Sequence, residues 1–188
     1  MPVGYCNGPE KPIYGMWNNV LERTTGGKND AFYKRRPWYR GTTICDEWLL
    51  LSNFVAWVKS HHNWQGKALD KDVLCPGNKH YSPETCVLIS ESLNNLLTGR
   101  DAKRGECPKG VVNSKGRFRA RVGGNGKRME VGSFDTKGQA HKAYCIAKGI
   151  QVREVAESLT DADTCDIERT RIGLLEHAII EENAWKFI

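Results

Sequence analysis

The run Arg117-Phe118-Arg119-Ala120-Arg121-Val122 alternates strictly between arginine and apolar residues. A period of two admits an extended strand, with the three arginines on one face and Phe118, Ala120 and Val122 on the other. The glycine-rich stretch 123–127 that follows is a tight-turn sequence. The next run, Lys127-Arg128-Met129-Glu130-Val131-Gly132-Ser133-Phe134, is therefore expected to pair back as a second strand. Asp135 or Thr136 then caps a helix, with Gln139 in capping-box spacing from Thr136. Ala140, Ala143, Tyr144 and Ala147 give that helix a small-residue packing face. The unit implied is a short antiparallel sheet whose apolar face lies on a helix and whose arginine face stays open. Three same-side arginines repel one another on a solvated strand unless an anion is bound. A ribbon of this width fits a DNA major groove, where arginine pairs bidentately with guanine or clamps phosphates.

Charge divides the chain along the same lines. Residues 98–153 carry 14 Lys and Arg against 4 Asp and Glu, whereas residues 154–188 carry 3 against 9. A basic block of that density is the electrostatic footprint of a polyanion binder. Four segments follow: a first domain over 1–97, a polar basic linker over 98–110, a compact basic unit over 111–157, and an acidic tail over 158–188. The tail is expected to end in a helix over 167–184, with Ile172, Leu175, Ile179 and Ile180 on one stripe. Such a tail can screen the basic block, dock on it or mediate self-association. The seven cysteines are odd in number, widely spaced and never in a Cys-x-x-Cys pair. This argues against structural zinc and a disulfide framework, and for reduced thiols in a cytoplasmic setting. No apolar run approaches membrane-spanning length, and the first residues carry no secretion signal.

In the first domain, Tyr14 to Arg23 reads as a helix packing through Trp17, Val20 and Leu21. Residues 43–61 read as a short strand running into a second helix, with Trp48, Leu51, Phe54, Val55 and Val58 toward a core. Asn18, Lys34, Arg35, Arg36 and Arg40 are polar groups able to touch a phosphate backbone. The stretch from Gly66 to Leu97 concentrates Asp70, Lys71, Asp72, Asn78 and Asn94 in what reads as a hairpin and a helix. Phosphodiester hydrolysis calls for a hard cation on the phosphate, a nucleophilic water and a stabilised leaving oxygen. Magnesium takes oxygen ligands, often only one or two of them from protein.

Residues 110–149 resemble the plant APETALA/ethylene-response-factor DNA-binding domain. The likeness rests on Gly110-Val111, the Gly116-Arg117-Phe118-x-Ala120 strand, the run from Val131 to Thr136, and Gln139, Ala140, Ala143 and Tyr144 on the helix. It implies a three-stranded sheet packed on one helix, reading duplex DNA with Arg117, Arg119, Arg121 and Arg128, and with Lys115 and Lys127 toward phosphates. The segment 69–94 is similar to the ββα-metal finger of HNH endonucleases of the phage and homing type. The likeness is carried by Leu69-Asp70-Lys71-Asp72, the Gly77-Asn78-Lys79 turn, Tyr81-Ser82-Pro83-Glu84-Thr85-Cys86 and Asn94. In it Ser82 to Leu88 is the entry to the second strand. The resemblance implies magnesium or another divalent cation such as manganese, held by Asp70, Asp72 and Asn94, with Asn78 fixing the loop.

Lys71 stands where that family carries a histidine base. A lysine, titrating ordinarily near ~10.4, is a poor base at neutral pH and is better suited to stabilising phosphate charge. His80, His61 and His62 are the candidate bases. The fold class expected is α+β: an HNH-like finger with flanking helices, a small antiparallel sheet on a helix, and a C-terminal helix. The function expected is a magnesium-dependent DNA endonuclease, nicking or cutting both strands. The alternative is a non-catalytic DNA-binding protein or regulator that keeps the finger as a scaffold.

Overall fold

The computed structural model describes residues 8, 10–26, 30–98, 106–124 and 127–187. Most of the expected linker, Asn125 and Gly126 of the expected turn, and the Lys127 side chain lie outside the described residues. The architecture is mixed α+β, with small sheets and helices interleaved along the chain.

Helix α1 (Lys11–Thr25) carries Pro12 in its first turn, where a missing N–H costs nothing, and stops at Gly26 in the left-handed region. It packs on α3 (Leu51–Lys59). The short helix α2 (Asp30–Arg35) and a 3-10 turn at Pro37–Tyr39 lie between them in sequence. The Trp17 indole donates to the Trp48 carbonyl at 2.8 Å, and Trp48 meets Phe54 edge-on with ring centroids 5.0 Å apart. These residues, with Ile13, Val20, Val58 and Tyr81, form the first core. The strand expected before α3 shrinks to β1 (Thr43–Ile44), because Asp46–Leu49 winds into a 3-10 turn.

Strand β2 (Ala68–Asp70) pairs antiparallel with β4 (Val87–Ile89), bringing Asp70 opposite Val87. Between them, β3 (His80–Tyr81) pairs in parallel with β1. The second strand begins at Val87, late in the expected entry. Pro83 has no N–H to give a ladder, and the Thr85 hydroxyl folds 82–86 into a turn by donating to the His80 carbonyl and accepting from the Ser82 amide. Helix α4 (Glu91–Leu97) follows, capped by the Ser90 hydroxyl, which accepts from the Leu93 amide.

The basic unit is a three-stranded antiparallel sheet in the order β5 (Val111–Ser114), β6 (Arg117–Gly124), β7 (Lys127–Phe134). Lys115 and Gly116 close the first hairpin with φ of 53° and 82°, the signature of a two-residue turn that follows the strand twist. Val111, Ala120 and Val122 pack on Ala140, Tyr144 and Cys145 of α5 (Lys137–Glu157). The capping box between Thr136 and Gln139 starts that helix as expected. Gly110 sits at φ 76°, and a side chain there would run into the Tyr144 ring.

Helix α5 outruns its sheet. Its last turns deliver Val152 and Ala156 to a core shared with Val73, Val87, Ile89 and Leu93, and with Leu174 and Ala178 of α6 (Ile167–Asn183). The chain between α5 and α6 also joins β4: the Ser90 amide donates to the Asp163 carbonyl, and the Cys165 amide to the Leu88 carbonyl. One core therefore crosses the expected boundaries at 97 and 157. Of the expected stripe on α6, Leu175 packs on this core, whereas Ile172, Ile179 and Ile180 are exposed; Thr170, Gly173, Leu174 and Ala178 are buried. The reason is close approach, since small residues let α6 lie against the backbone after β2. No described helix is long and apolar enough to cross a membrane.

A Cβ on Gly173 would lie 2.0 Å from the Val73 carbonyl oxygen, whereas one on Gly138 meets nothing within 4 Å. Gly173→Ala is expected to destabilise by about 1–3 kcal/mol through overpacking. Gly138→Ala is expected to be neutral or to stabilise by up to about 1 kcal/mol. Urea unfolding of both variants checks this.

Candidate functional site

The segment 70–80 is folded by its own polar side chains. Asp70, at the end of β2, accepts hydrogen bonds on Oδ1 from the amides of Asp72 and Val73 at 2.8 and 2.7 Å. Asn78 brackets the loop: Nδ2 donates to the carbonyls of Lys71 and His80, and Oδ1 accepts from the His80 amide. Lys71 is buried, and its ammonium bonds Asp72 Oδ1 at 2.6 Å and the Asn78 carbonyl. That is the position of a loop staple, with two of the three ammonium hydrogens already committed. His80 is fixed by its Nδ1, 2.8 Å from the Thr43 hydroxyl. Asn94 lies half-buried on α4, and its side-chain amide makes no hydrogen bond among the described residues. Of the other candidate bases, His61 caps its own helix through the Trp57 carbonyl at 2.9 Å, and His62 is exposed.

Helix α6 braces this loop from outside. His177 Nε2 lies 2.8 Å from the Asp72 carbonyl oxygen, and the Arg169 guanidinium donates to the carbonyls of Pro83 and Glu84. Neither residue is legible as part of a site from sequence, because nothing local marks a helix some hundred residues downstream as a neighbour.

Burial pushes the Asp70 carboxyl above the ordinary carboxylate range, and the nearby Asp72 charge adds to this. The two amide donors and Lys71 oppose it. A buried carboxylate beside a second carboxylate is stabilised by a cation, and here the cation within reach is the Lys71 ammonium. Among the described residues no three His, Cys, Asp or Glu side chains converge as a metal cluster. The donor set is thus too small for a closed protein cage. Such a set suits only a hard cation that takes most of its ligands from water and phosphate.

The open face of the sheet is the second candidate site. Arg117, Arg119 and Arg121 share it with Arg128, which lies opposite Gly123. The repulsion expected along this row is relieved from within. Arg117 pairs with Asp135 at 2.7 Å and donates to the Ser133 hydroxyl and carbonyl. A register shift beside Ala120 sets Glu130 opposite Arg121, and its Oε2 lies 3.7 Å from both Arg119 Nη1 and Arg121 Nη2. Glu130 was traceable from the alternation of β7, which puts it on the face of Arg128. These pairs are exposed, worth about 0–1 kcal/mol each, so a phosphate can displace the carboxylates at little cost. Lys115 projects from the β5–β6 turn and is exposed.

No protein-family model matches the chain. No curated protein matches it, and no solved structure does.

Asp70→Ala strips two buried amides of their acceptor and is expected to cost about 2 kcal/mol, which would confound any activity measurement. Asp70→Asn keeps the accepting oxygen. Because the folded carboxyl titrates above its unfolded value, the stability it contributes is complete below the unfolded value and is lost as pH rises through the folded one. Asp70→Asn should therefore gain on the wild type between pH 3 and pH 7, read as urea midpoints; a difference that shrinks with rising pH would contradict the burial described.

Proposed function

We propose that the chain binds duplex DNA along the open face of β6 and β7 and hydrolyses a phosphodiester beside the β2–β4–α4 unit with a divalent cation. The observation that carries the binding half is the row of Arg117, Arg119, Arg121 and Arg128 on one open face, where the carboxylates that pair with it, Glu130 and Asp135, are exposed. Such a row supplies phosphate clamps and bidentate donors together. The hydrolytic half is supported by chain order and chemistry: an antiparallel strand pair followed by a helix, a half-buried carboxylate at the first strand's end, and an asparagine on the helix.

Asp70 and Asn94, with Asp72 if its pair with Lys71 opens, are the residues that would hold magnesium or manganese. When bound, such an ion polarises the scissile phosphate and acidifies a water. Asn78 and Lys71 keep the loop in place. His80, oriented by Thr43, and His177, lodged on the Asp72 carbonyl, are the groups able to move a proton. One observation favours a second reading, a DNA-binding protein without catalysis: the Lys71 ammonium already neutralises Asp72.

Supercoiled plasmid incubated with the full chain in magnesium or manganese separates the two readings. Nicked or linear product that disappears with chelator and in Asp70→Asn is the expected result. Binding without any product leaves only the second reading.

Arg119→Ala with Arg121→Ala should weaken duplex binding and flatten its salt dependence by about one unit of slope per lost phosphate contact. Lys59→Ala, whose partner is Glu10, should bind as the wild type does. Point variants are the right tool, since deleting 111–157 would also remove Val152 and Ala156 from the core beneath β4.

A further inference from the structure

We infer that the exposed segment 34–40, together with Lys79, is a second nucleic-acid contact, and that its indole, Trp38, stacks on an unpaired base. The inference rests on the binding half of the reading above and adds to it the form of the nucleic acid engaged.

The segment reads Lys-Arg-Arg-Pro-Trp-Tyr-Arg, and no Asp or Glu occurs from Ala31 to Cys45. Lys34, Arg35, Arg36, Trp38 and Arg40 are all exposed, and so is Lys79. The arginines are organised on aromatic faces beneath them. The Arg36 guanidinium carbon lies 5.2 Å from the Phe32 ring centroid, and that of Arg40 lies 5.5 Å from Tyr33. Arg35 Nε donates to the Ala31 carbonyl at 3.3 Å. Stacking holds a planar guanidinium fork in place without using its N–H donors.

Trp38 is 60% exposed, whereas the other five tryptophans are buried or half-buried. Its backbone is set by the 3-10 turn that Pro37 opens, and by Lys79, whose ammonium donates to the Trp38 carbonyl. A single exposed apolar side chain is ordinary on a protein surface. This one lies between Arg36 and Arg40 in sequence, with the Lys79 ammonium on its carbonyl. A base has a π-face and a phosphate next to it, and the patch matches both.

Position narrows the ligand further. Lys79 lies between Asn78 and His80 of the candidate loop. Arg23 links the two sides, its guanidinium carbon 5.1 Å from the Tyr39 ring centroid and its Nη1 bonded to the Tyr81 hydroxyl at 3.1 Å. The patch therefore borders the loop where a phosphodiester would be engaged. A paired base hides its faces in the stack, so an indole acting on a base requires a strand that is single or locally opened. An anionic membrane surface fits less well, because it wants an apolar face to insert, and here Phe32 is buried and Tyr39 half-buried.

The test uses the full chain and three labelled DNAs: a single strand, a fully paired duplex, and the same duplex with a central mismatched bubble. Trp38→Ala should weaken binding to the single strand and the bubble roughly tenfold, within the range of one lost stacking contact, and leave the paired duplex nearly unchanged. Trp38→Phe should keep most of the affinity. Arg35→Ala with Arg36→Ala should weaken all three and lower the salt slope. Wild-type affinity of Trp38→Ala for the single strand and bubble overturns the inference. So does an effect of these variants confined to phosphatidylglycerol vesicles. If duplex binding still falls in Arg119→Ala with Arg121→Ala, only the second contact is lost. If the wild-type chain binds none of the three DNAs, the parent reading fails with it.

Discussion

The structure depends on α5 having its two ends in two different cores. Its first turns, started by the Thr136–Gln139 capping box, cover the sheet. Its last turns meet α6, β4 and Val73 beyond β2. One rigid helix thus couples the arginine face to the loop at 70–80, and no flexible joint is needed to keep them in register. The seam between α5 and α6 is polar at one end: Arg153 grips Glu182 with two parallel hydrogen bonds, and Lys109 pairs with Glu181. Lys148 is buried in this seam on Gln151, and burial pulls its ammonium down to about 8. An apolar residue would cost less there. The polar seam instead fixes which face of α6 lies against α5.

The same contest between burial and pairing explains the concentration of charge in Asp70-Lys71-Asp72. A buried ammonium must be neutralised, and Asp72 does this at 2.6 Å. A turn that leaves its amides buried needs an acceptor, and Asp70 provides it for two of them. Asn78, carrying donors and an acceptor on one side chain, ties the loop's two ends. Most of the polarity that draws attention to this stretch is therefore consumed in folding it. What remains for chemistry is narrow: one oxygen of Asp70, the amide of Asn94, and the outer nitrogen of His80.

Elements specified by neighbours in sequence were legible before the structure. The β6–β7 hairpin, the capping box and the apolar face of α5 are local patterns, and the fold follows them. The helices over Tyr14–Arg23 and after Asp46 were legible for the same reason, with ends displaced by a few residues. The parallel pairing of β1 with β3 was not legible, since two-residue strands joined across more than thirty residues leave no periodic signal. The packing face of α6 was not legible, because contact distance to Val73 selected Gly173 and the small residues near it rather than the apolar stripe. The candidate site divides the same way. The arginine row was visible in the alternation, whereas the approach of His177 to the Asp72 carbonyl depends on how distant segments meet.

That division decides what the acidic tail does to the basic block. A free tail of that charge would be drawn to the arginine face and would compete with any polyanion. In the folded chain several of its carboxylates are engaged elsewhere. Glu181 and Glu182 pair within the α5–α6 seam, Asp163 accepts from the Thr160 amide and hydroxyl, and Asp166 caps α6 through the Arg169 amide. The carboxylates that do reach the sheet face, Glu130 and Asp135, come from β7 and the residue after it, at exposed positions where water and salt screen them. The tail's charge holds the helix that braces the loop, so the positive field of the sheet stays directed at solvent.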